Sequence, residues 1–322
     1  MALEKEEGIG VRQLLWLCVF FVLFPVFAFG DSSAVIIQGV AGSDDHEKKF
    51  TKWATGTRDV LVQDLGFSKD RVFLLTGDAT RKEAVQKTFD QLKQQVKPQD
   101  TFLLFLIGHG SFDTDFKLNI LGADLTGAEY SKLIDSLNPS RAIVVNSSTG
   151  SGGMFETMKG KNRVLIASSR SGEKEDPVFY EHFLNGLKGV AADEDKDKKV
   201  SVWEAFKYAS SAVDRFYKEK TLIMTEHAAL AAAGAPQVAP TVAEQDVPVL
   251  ARVTALTADR DVTVADPKLQ ALLNEKKAID QKIEALRLDK GLLSETQYQD
   301  RLEELILELG KKNQEIQEQQ KR

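Results

Sequence analysis

Five short runs of apolar, largely β-branched residues constrain the fold of this chain more than any other feature of its sequence. Each run is continuous rather than alternating, which is typical of strands that are buried on both faces of a parallel sheet. The runs cover residues 34–40, 71–76, 101–108, 141–147 and 163–168. The sequence therefore predicts a mostly parallel central sheet that other elements cover on both sides.

Helix-length amphipathic segments separate these runs. Residues 48–65, 81–96 and 126–137 place apolar side chains at helical spacing, and Thr126 with Glu129 forms a capping-box pattern. Strand-helix alternation is expected to give right-handed crossovers that lay helices on the faces of the sheet. We therefore predict an α/β fold, a three-layer sandwich in the main domain, which spans 31–230.

The N-terminal segment has the composition of an export signal. Residues 14–29 are almost all apolar, Arg12 precedes them, and 28–30 has the small-residue pattern of a cleavage site. The apolar run is short for a membrane span. We therefore predict a signal peptide at 1–30 and an exported protein, periplasmic or extracellular. An uncleaved N-terminal anchor is the alternative, and contact with a membrane is expected only in that case.

Cysteine usage and net charge exclude several functions. Cys18 is the only cysteine and lies inside the predicted signal peptide. The mature protein is therefore expected to contain neither a disulfide nor a thiol nucleophile. The formal net charge is −6 and no strongly basic stripe interrupts the globular part, which argues against nucleic acid as a partner.

The C-terminal part of the chain changes composition twice. Half of the eight prolines fall in a stretch rich in Ala, Val and Thr, and we interpret residues 231–267 as a linker or strap, with a strand-like bias at 247–256. Residues 268–322 repeat apolar side chains at helical spacing on both sides of Gly291. We predict an antiparallel helical hairpin or short coiled coil there. It is either a solvated helix pair or an arm for a homodimer or another partner.

A histidine and a cluster of hydroxyl groups follow two of the predicted strands. His109 lies between two glycines after the strand at 101–108, and the loop at 147–153, after the next long strand, consists of serine, threonine and glycine. Parallel strands end at one edge of a sheet, where ligands bind. A lightly shielded histidine at that edge suits a general base. The glycines alone would also permit a tight strand-to-helix turn.

The two strand ends together resemble a motif pair of the clan CD peptidases, the legumain- and caspase-like proteins. FLLFLIGHGS at 102–111 is similar to their His-Gly segment, and RAIVVNSSTGSGGMF at 141–155 is similar to the loop of their catalytic cysteine. Residues 164–187, 191–210 and 224–230 resemble later segments of exported bacterial relatives on the legumain branch. The resemblance covers about 34–230 and implies a caspase-like sandwich.

The resemblance also implies roles for single residues. His109 takes the place of the general base, and Ser151 with Gly152 matches the family's Ser-Gly, so Thr149 falls where the cysteine stands. An alcohol is a far weaker acid than a thiol. We therefore interpret the chain as a pseudo-peptidase that binds or scaffolds a peptide or protein ligand. The alternatives are a hydrolase that uses the hydroxyl of Thr149, Ser148 or another nearby serine, and a module whose glycine-rich loop binds a peptide or an anion.

In that family the loop after the next strand helps to form the substrate pocket. Here this loop contains Ser168, Ser169, Arg170 and Glu173, which join Gly110 as the predicted substrate-binding residues. A pocket with both charges could receive a charged side chain of either sign. An exposed polar loop is the alternative.

A second motif has the spacing of a helix-loop-helix calcium site. Asp193, Asp195, Asp197, Ser201 and Glu204 occupy loop positions 1, 3, 5, 9 and 12. The glycine usual at position 6 is absent. The only cofactor that the sequence suggests is therefore Ca²⁺ at this loop. The alternative is an acidic loop whose serine caps the helix predicted at 202–216.

The remaining histidines and acidic residues give weaker signals. His46 and His182 are expected at the surface, whereas His227 is expected to cap or pair structurally. Asp113 and Asp115 follow the strand-end histidine closely, but nothing in the pattern fixes either as the third group of a triad. No spacing of His, Asp and Glu indicates a zinc site.

Overall fold

The computed structural model describes residues 32–188, 191–194, 196, 199–256 and 266–320. The predicted signal peptide, with Cys18, lies outside the described residues, and so do Asp195 and Asp197 of the predicted calcium loop. Within the described ranges, no helix combines the length and the apolar character that crossing a membrane requires.

In the described residues, nine strands form two sheets. They are β1 (Ser32–Gln38), β2 (Val72–Leu75), β3 (Thr101–Ile107), β4 (Gly110–Phe112), β5 (Phe116–Leu118), β6 (Leu125–Thr126), β7 (Arg141–Asn146), β8 (Arg163–Ala167) and β9 (Ala229–Ala232). The central sheet has the order β2-β1-β3-β7-β8-β9. Its first five strands are parallel, and only β9 is antiparallel to its neighbour. The predicted mostly parallel sheet is confirmed.

Helices cover both faces of this sheet. They are α1 (Asp44–Asp59), α2 (Lys82–Leu92), α3 (Gly127–Leu137), α4 (Met154–Met158), α5 (Phe179–Leu187), α6 (Val202–Glu219), α7 (Val249–Val253), α8 (Pro267–Leu288) and α9 (Glu295–Gln320). Side chains of α1, α5, α6 and α7 share one hydrophobic core with the sheet, and those of α2, α3 and α4 share another. The three-layer α/β sandwich predicted from the alternation is therefore confirmed.

Alternation along each strand builds the two cores. On β3, Leu103 and Phe105 belong to the core under α1, whereas Leu104 and Leu106 belong to the core under α2. Successive side chains of a strand point to opposite faces, so a strand buried on both sides must be apolar throughout. This requirement explains why the strand runs were continuous in sequence.

Helix α1 begins earlier than the pattern predicted. The side chain of Ser43 accepts a hydrogen bond from the backbone N–H of His46 and caps a helix that starts at Asp44 rather than at residue 48. The first turn is acidic and carries little apolar periodicity, so only its cap indicates it. As a consequence His46 lies in a helical turn that directly follows β1.

Two segments differ from the sequence expectation. Residues 110–126 form a small antiparallel sheet of β4, β5 and β6, whose strands are too short to give a periodic signal. The segment with strand-like bias at 247–256 instead contains α7, which begins after Pro248 and buries Leu250 and Ala251 against the core. A proline before the first helical turn favours this outcome.

The predicted C-terminal hairpin is confirmed as a pair of antiparallel helices. Lys312 Nζ of α9 lies 2.5 Å from Glu275 Oε2 of α8. Gln319 Nε2, near the end of α9, donates to Asp266 Oδ2, at the cap of α8, over 2.6 Å. Contacts between opposite ends of the two helices require the antiparallel arrangement.

Candidate functional site

The predicted histidine and hydroxyl loop meet at one edge of the central sheet. Strands β3 and β7 are adjacent and parallel, with Leu106 paired to Asn146. His109 and Thr149 each lie the same number of residues beyond this pair. Thr149 Oγ1 donates to the carbonyl of Gly110 over 2.8 Å and accepts from the N–H of Gly110 over 3.1 Å. The loop after β7 is thereby fixed against the residue that follows His109.

Both ring nitrogens of His109 face other groups. Nε2 lies 3.0 Å from the carbonyl oxygen of Ala41, and Nδ1 lies 3.3 Å from Asp176 Oδ1. Within the described chain, neither nitrogen is hydrogen-bonded to the hydroxyl of Thr149. The side chain of His109 is 26% exposed, so solutes can reach it.

His109 lies at a topological switch point of the sheet. The chain passes from β1 to β2 on one side and then returns to β3 on the other side of β1. Ligands of open α/β sheets bind at the carboxyl ends of strands where this reversal occurs. The two strand ends touch: the N–H of Gly39 donates to the carbonyl of Ile107 over 2.7 Å. A Cβ on Gly39 would lie 2.5 Å from the carbonyl oxygen of Asn119, so only glycine fits there.

Sequence reasoning missed the carboxylate at this site, Asp176. Besides His109, it contacts His46, whose Nε2 lies 2.6 Å from Asp176 Oδ2. The side chain of His46, which is expected at the surface, is 37% exposed, and its ring also packs edge-on against His109 with a centroid distance of 4.7 Å. The three residues are far apart in sequence and form no local motif.

A buried glutamate holds the segment that carries Asp176. Glu226 accepts hydrogen bonds from the N–H groups of Val178 and Phe179, at 2.9 and 3.0 Å, and thereby fixes the entry into α5. Burial raises the pKa of Glu226 above its usual range, although these donors and Tyr217 oppose the shift. Asp176 therefore comes from a well-anchored turn.

The two aspartates that follow His109 in sequence do not orient it. Asp113 Oδ1 accepts hydrogen bonds from the N–H groups of Thr114 and Asp115, and these bonds lower the pKa of Asp113 to about 2. Asp115 Oδ2 accepts from the N–H of Ala128 over 3.0 Å. Both carboxylates stabilise the local turns around β4 to β6.

The serines of the hydroxyl loop are bonded within the fold. Ser148 Oγ donates to Asn146 Oδ1 over 2.7 Å, and Ser151 Oγ lies 3.0 Å from Ser169 Oγ and accepts from its N–H over 3.0 Å. Ser168 Oγ donates to the carbonyl of Ser148 over 3.4 Å. These four serines are at most 1% exposed. The cluster joins the loops that follow β7 and β8.

In the predicted substrate loop after β8, both carboxylate oxygens of Glu173 contact groups of the protein itself. Glu173 Oε2 accepts from the N–H groups of Arg170, at 2.8 Å, and His227, at 2.9 Å. Glu173 Oε1 lies 2.5 Å from His227 Nδ1. The expected structural pairing of His227 is therefore present, and Glu173 shapes the loop.

A cavity of 580 Å³ opens beside this loop. Its wall includes Arg170, Arg215, Met224 and Pro240.

The predicted calcium loop lies elsewhere, at the start of α6. There Glu204 accepts from the N–H and the hydroxyl of Ser201, each at 2.8 Å, and from the N–H of Glu194 at 2.9 Å.

These contacts are those of a capping box, and the predicted cap of α6 is confirmed. Asp193 lies directly before Glu194, whose N–H is bonded to Glu204 of this capping box. Calcium binding, which also involves two aspartates outside the described residues, stays a prediction.

The chain was compared with known proteins. No family model matches it, and no curated protein matches it. Among solved structures, it is similar to the Drosophila initiator caspase Dronc at 10% identity with a TM-score of 0.39, over 65% of this chain and 82% of that chain. It is similar to caspase-1 from Spodoptera frugiperda at 10% identity with a TM-score of 0.42, over 63% of this chain and 87% of that chain. Neither similarity bears on this chain's chemistry, which depends on its own side chains.

Proposed function

We propose that this chain is a peptidase-like domain without cysteine-peptidase chemistry, and that it binds polypeptides. The observation that carries the proposal is the bonding of Thr149, the residue at the expected nucleophile position. Its hydroxyl donates to Gly110 and accepts from Gly110. A nucleophilic hydroxyl must instead donate its proton to a base within hydrogen-bond reach.

The contacts of His109 support the same conclusion. Its Nε2 lies against a carbonyl and its Nδ1 against a carboxylate, so both nitrogens face acceptors. Neither nitrogen faces the hydroxyl of Thr149 within the described chain, so this histidine is not placed to take the proton of that hydroxyl. The buried serines nearby are bonded to internal groups and are equally unsuited to attack a substrate.

The proposed ligand is inferred from the positive charge that lines the cavity beside the loop after β8. Two acidic residues of its lining are satisfied within the fold: Asp214 pairs with Lys218 at 2.5 Å, and Glu226 accepts backbone N–H groups. Within the described ranges, no ion pair forms with Arg170 or Arg215, which also line the cavity and are exposed. The volume suits one or two side chains. We therefore propose that it receives an acidic side chain of a polypeptide ligand.

An experiment that measures both binding and turnover of a peptide library tests polypeptide binding and the absence of catalysis separately. The full chain is incubated with peptide and ester libraries, and both capture and hydrolysis are recorded. We expect capture of acidic peptides without turnover. Arg170→Gln is expected to weaken capture by about tenfold, since a charge-assisted bond is lost. Lys174→Gln is the matched control, because Lys174 is an exposed cation of the same loop.

Two results would contradict the proposal, and they are distinct. Turnover that disappears in both His109→Ala and Thr149→Ala would show that the hydroxyl acts as a nucleophile. If capture does not depend on the charge of the peptide, or if Arg170→Gln and Lys174→Gln weaken it equally, the acidic ligand is wrong. The proposed absence of catalysis would not be affected by that result.

A further inference from the structure

Three potential metal ligands converge at the switch point from three separate segments. His46 comes from the first turn of α1, His109 from the end of β3, and Asp176 from the turn before α5. One ligand atom of each, the two ring nitrogens and a carboxylate oxygen, lies within 4.8 Å of the others. We propose that these three residues bind a divalent transition-metal ion of the zinc class.

The outer hydrogen bonds set both imidazoles for this role. His109 Nε2 lies 3.0 Å from a carbonyl oxygen, which only accepts, so this nitrogen carries a proton and the neutral ring has its lone pair on Nδ1. His46 Nδ1 lies 2.9 Å from Ser43 Oγ, a hydroxyl that can accept a proton from this nitrogen. In that tautomer the lone pair is on Nε2. Metal-binding histidines nearly always donate their other N–H to such a partner.

Both rings direct a nitrogen at the same carboxylate. Nδ1 of His109 lies 3.3 Å from Asp176 Oδ1, and Nε2 of His46 lies 2.6 Å from Asp176 Oδ2. Two imidazole nitrogens and a carboxylate oxygen form a mixed set of ligands that zinc accepts in proteins.

The spacing is close to that of a four-coordinate ion. Metal–ligand distances of about 2.0–2.2 Å at tetrahedral angles place ligand atoms about 3.3 Å apart. The contact between His109 Nδ1 and Asp176 Oδ1 already has this length. His46 Nε2 lies 2.6 Å from the other oxygen, Oδ2, and the three ligand atoms lie within 4.8 Å of one another, so small side-chain movements would bring them to this spacing. Three protein ligands leave a position open, as in zinc sites that bind water or a further ligand.

The surroundings fix the rings and leave the cluster accessible. Phe50 packs against the ring of His46 at 5.7 Å and against that of His109 at 5.1 Å between centroids. The side chains of His109 and Asp176 are each 26% exposed. Lys49 is a competing cation, with Nζ 3.8 Å from Asp176 Oδ2, but it also lies over the ring of Trp53 at 4.7 Å. Oδ1 is therefore the oxygen more open to an ion.

Direct titration with Zn²⁺ tests the proposal. The full chain, free of any tag, is titrated with Zn²⁺ against a chromogenic chelator, and its Tm is measured with and without the ion. We expect one Zn²⁺ per chain and a rise in Tm. His46→Gln and Asp176→Asn are each expected to weaken binding by at least about tenfold. His182→Gln, at a histidine that packs against Phe216 instead, is the matched control and is expected to bind unchanged.

Two outcomes would overturn the metal site. Either the wild-type chain binds no Zn²⁺, or the two ligand variants bind it as tightly as the control does. If a ligand variant does not fold, the spectrum of the Co²⁺-loaded wild type decides, because four-coordinate binding gives intense visible bands and their absence excludes the site. No peptide is present, so failure here leaves the polypeptide proposal standing, and failure of that proposal leaves the metal site standing.

Discussion

At the scale of single residues, the hydroxyl of Thr149 has a structural explanation. Thr149 is 8% exposed, and its oxygen satisfies both the N–H and the carbonyl of Gly110. Through this pair the loop after β7 is tied to the first residue of β4. A serine or threonine is therefore needed at this position for the fold alone, whether or not a substrate is ever present.

The role of this hydroxyl predicts the effect of removing it. Thr149→Val keeps the shape of the side chain but leaves two backbone groups of Gly110 without their partner, which should lower the free energy of unfolding by about 1–3 kcal/mol. Thr149→Ser keeps the oxygen and loses one methyl group, about 0.8 kcal/mol. Urea denaturation of both variants measures the difference. A valine variant as stable as the serine variant would mean that these bonds are dispensable.

The same scale shows what the sequence could predict of the site. His109 and the hydroxyl loop at 147–153 could be predicted because each follows an apolar strand, and adjacent parallel strands end together. Within that loop, only the resemblance to the clan CD peptidases singled out Thr149. Asp176 and His46 were not found, since each belongs to a segment whose local pattern indicates only a turn or a polar helix face. Their contact depends on the path of α1 and on the anchoring of α5 by Glu226, which are tertiary features.

At the scale of elements, the ends of helices were easier to predict than short strands. The capping boxes at Thr126 and Ser201 depend on side chains three residues apart, and both are formed. Strands β4 to β6 contain two or three residues each and have no period to detect. Residues 247–256, in the predicted linker or strap, have only a strand-like bias because Val and Leu suit both states, and burial against the core favours the helix α7.

The capping box of α3 predicts a pH dependence. The pKa of Glu129 is lowered, mainly by a hydrogen bond from Lys82 and also by the N–H of Thr126. A lowered pKa in the folded state means that the ionised carboxylate adds stability above pH 4.5, the ordinary pKa of glutamate, and that this stability is lost as the pH falls through the lowered pKa.

Glu129→Gln isolates this contribution, because glutamine also accepts the N–H of a capping box. The wild type should be more stable than the variant by less than about 1 kcal/mol at neutral pH, as is usual for a partly exposed pair. Denaturation at a series of pH values should show the two converging below pH 4.5. A difference that persists into strong acid would assign it to packing instead of charge.

At the scale of the whole molecule, the C-terminal helices stand apart in composition from the sandwich. Their buried seam includes Ile279, Ile283 and Ile316, but Ile306 and Leu307 of α9 are 52% and 60% exposed. Two helices alone bury little surface. Adjacent exposed apolar side chains on such an arm favour a homodimer, which the sequence left as an alternative to a solvated pair.

Charge substitution at these two positions tests the dimer. Burying both side chains in each copy supplies about 1–2 kcal/mol per residue, about 4–8 kcal/mol in all, so after the entropic loss of association we expect a weak dimer with a Kd no tighter than about millimolar. Light scattering of the full chain across a concentration series should show it dissociate. Ile306→Glu/Leu307→Glu should be monomeric throughout, because four carboxylates would meet at the interface. Gln317→Glu/Gln320→Glu adds the same charge at exposed sites of α9 and should still dimerise. If the wild-type chain stays monomeric at the highest concentration, the dimer is wrong and α8 and α9 are a solvated helix pair.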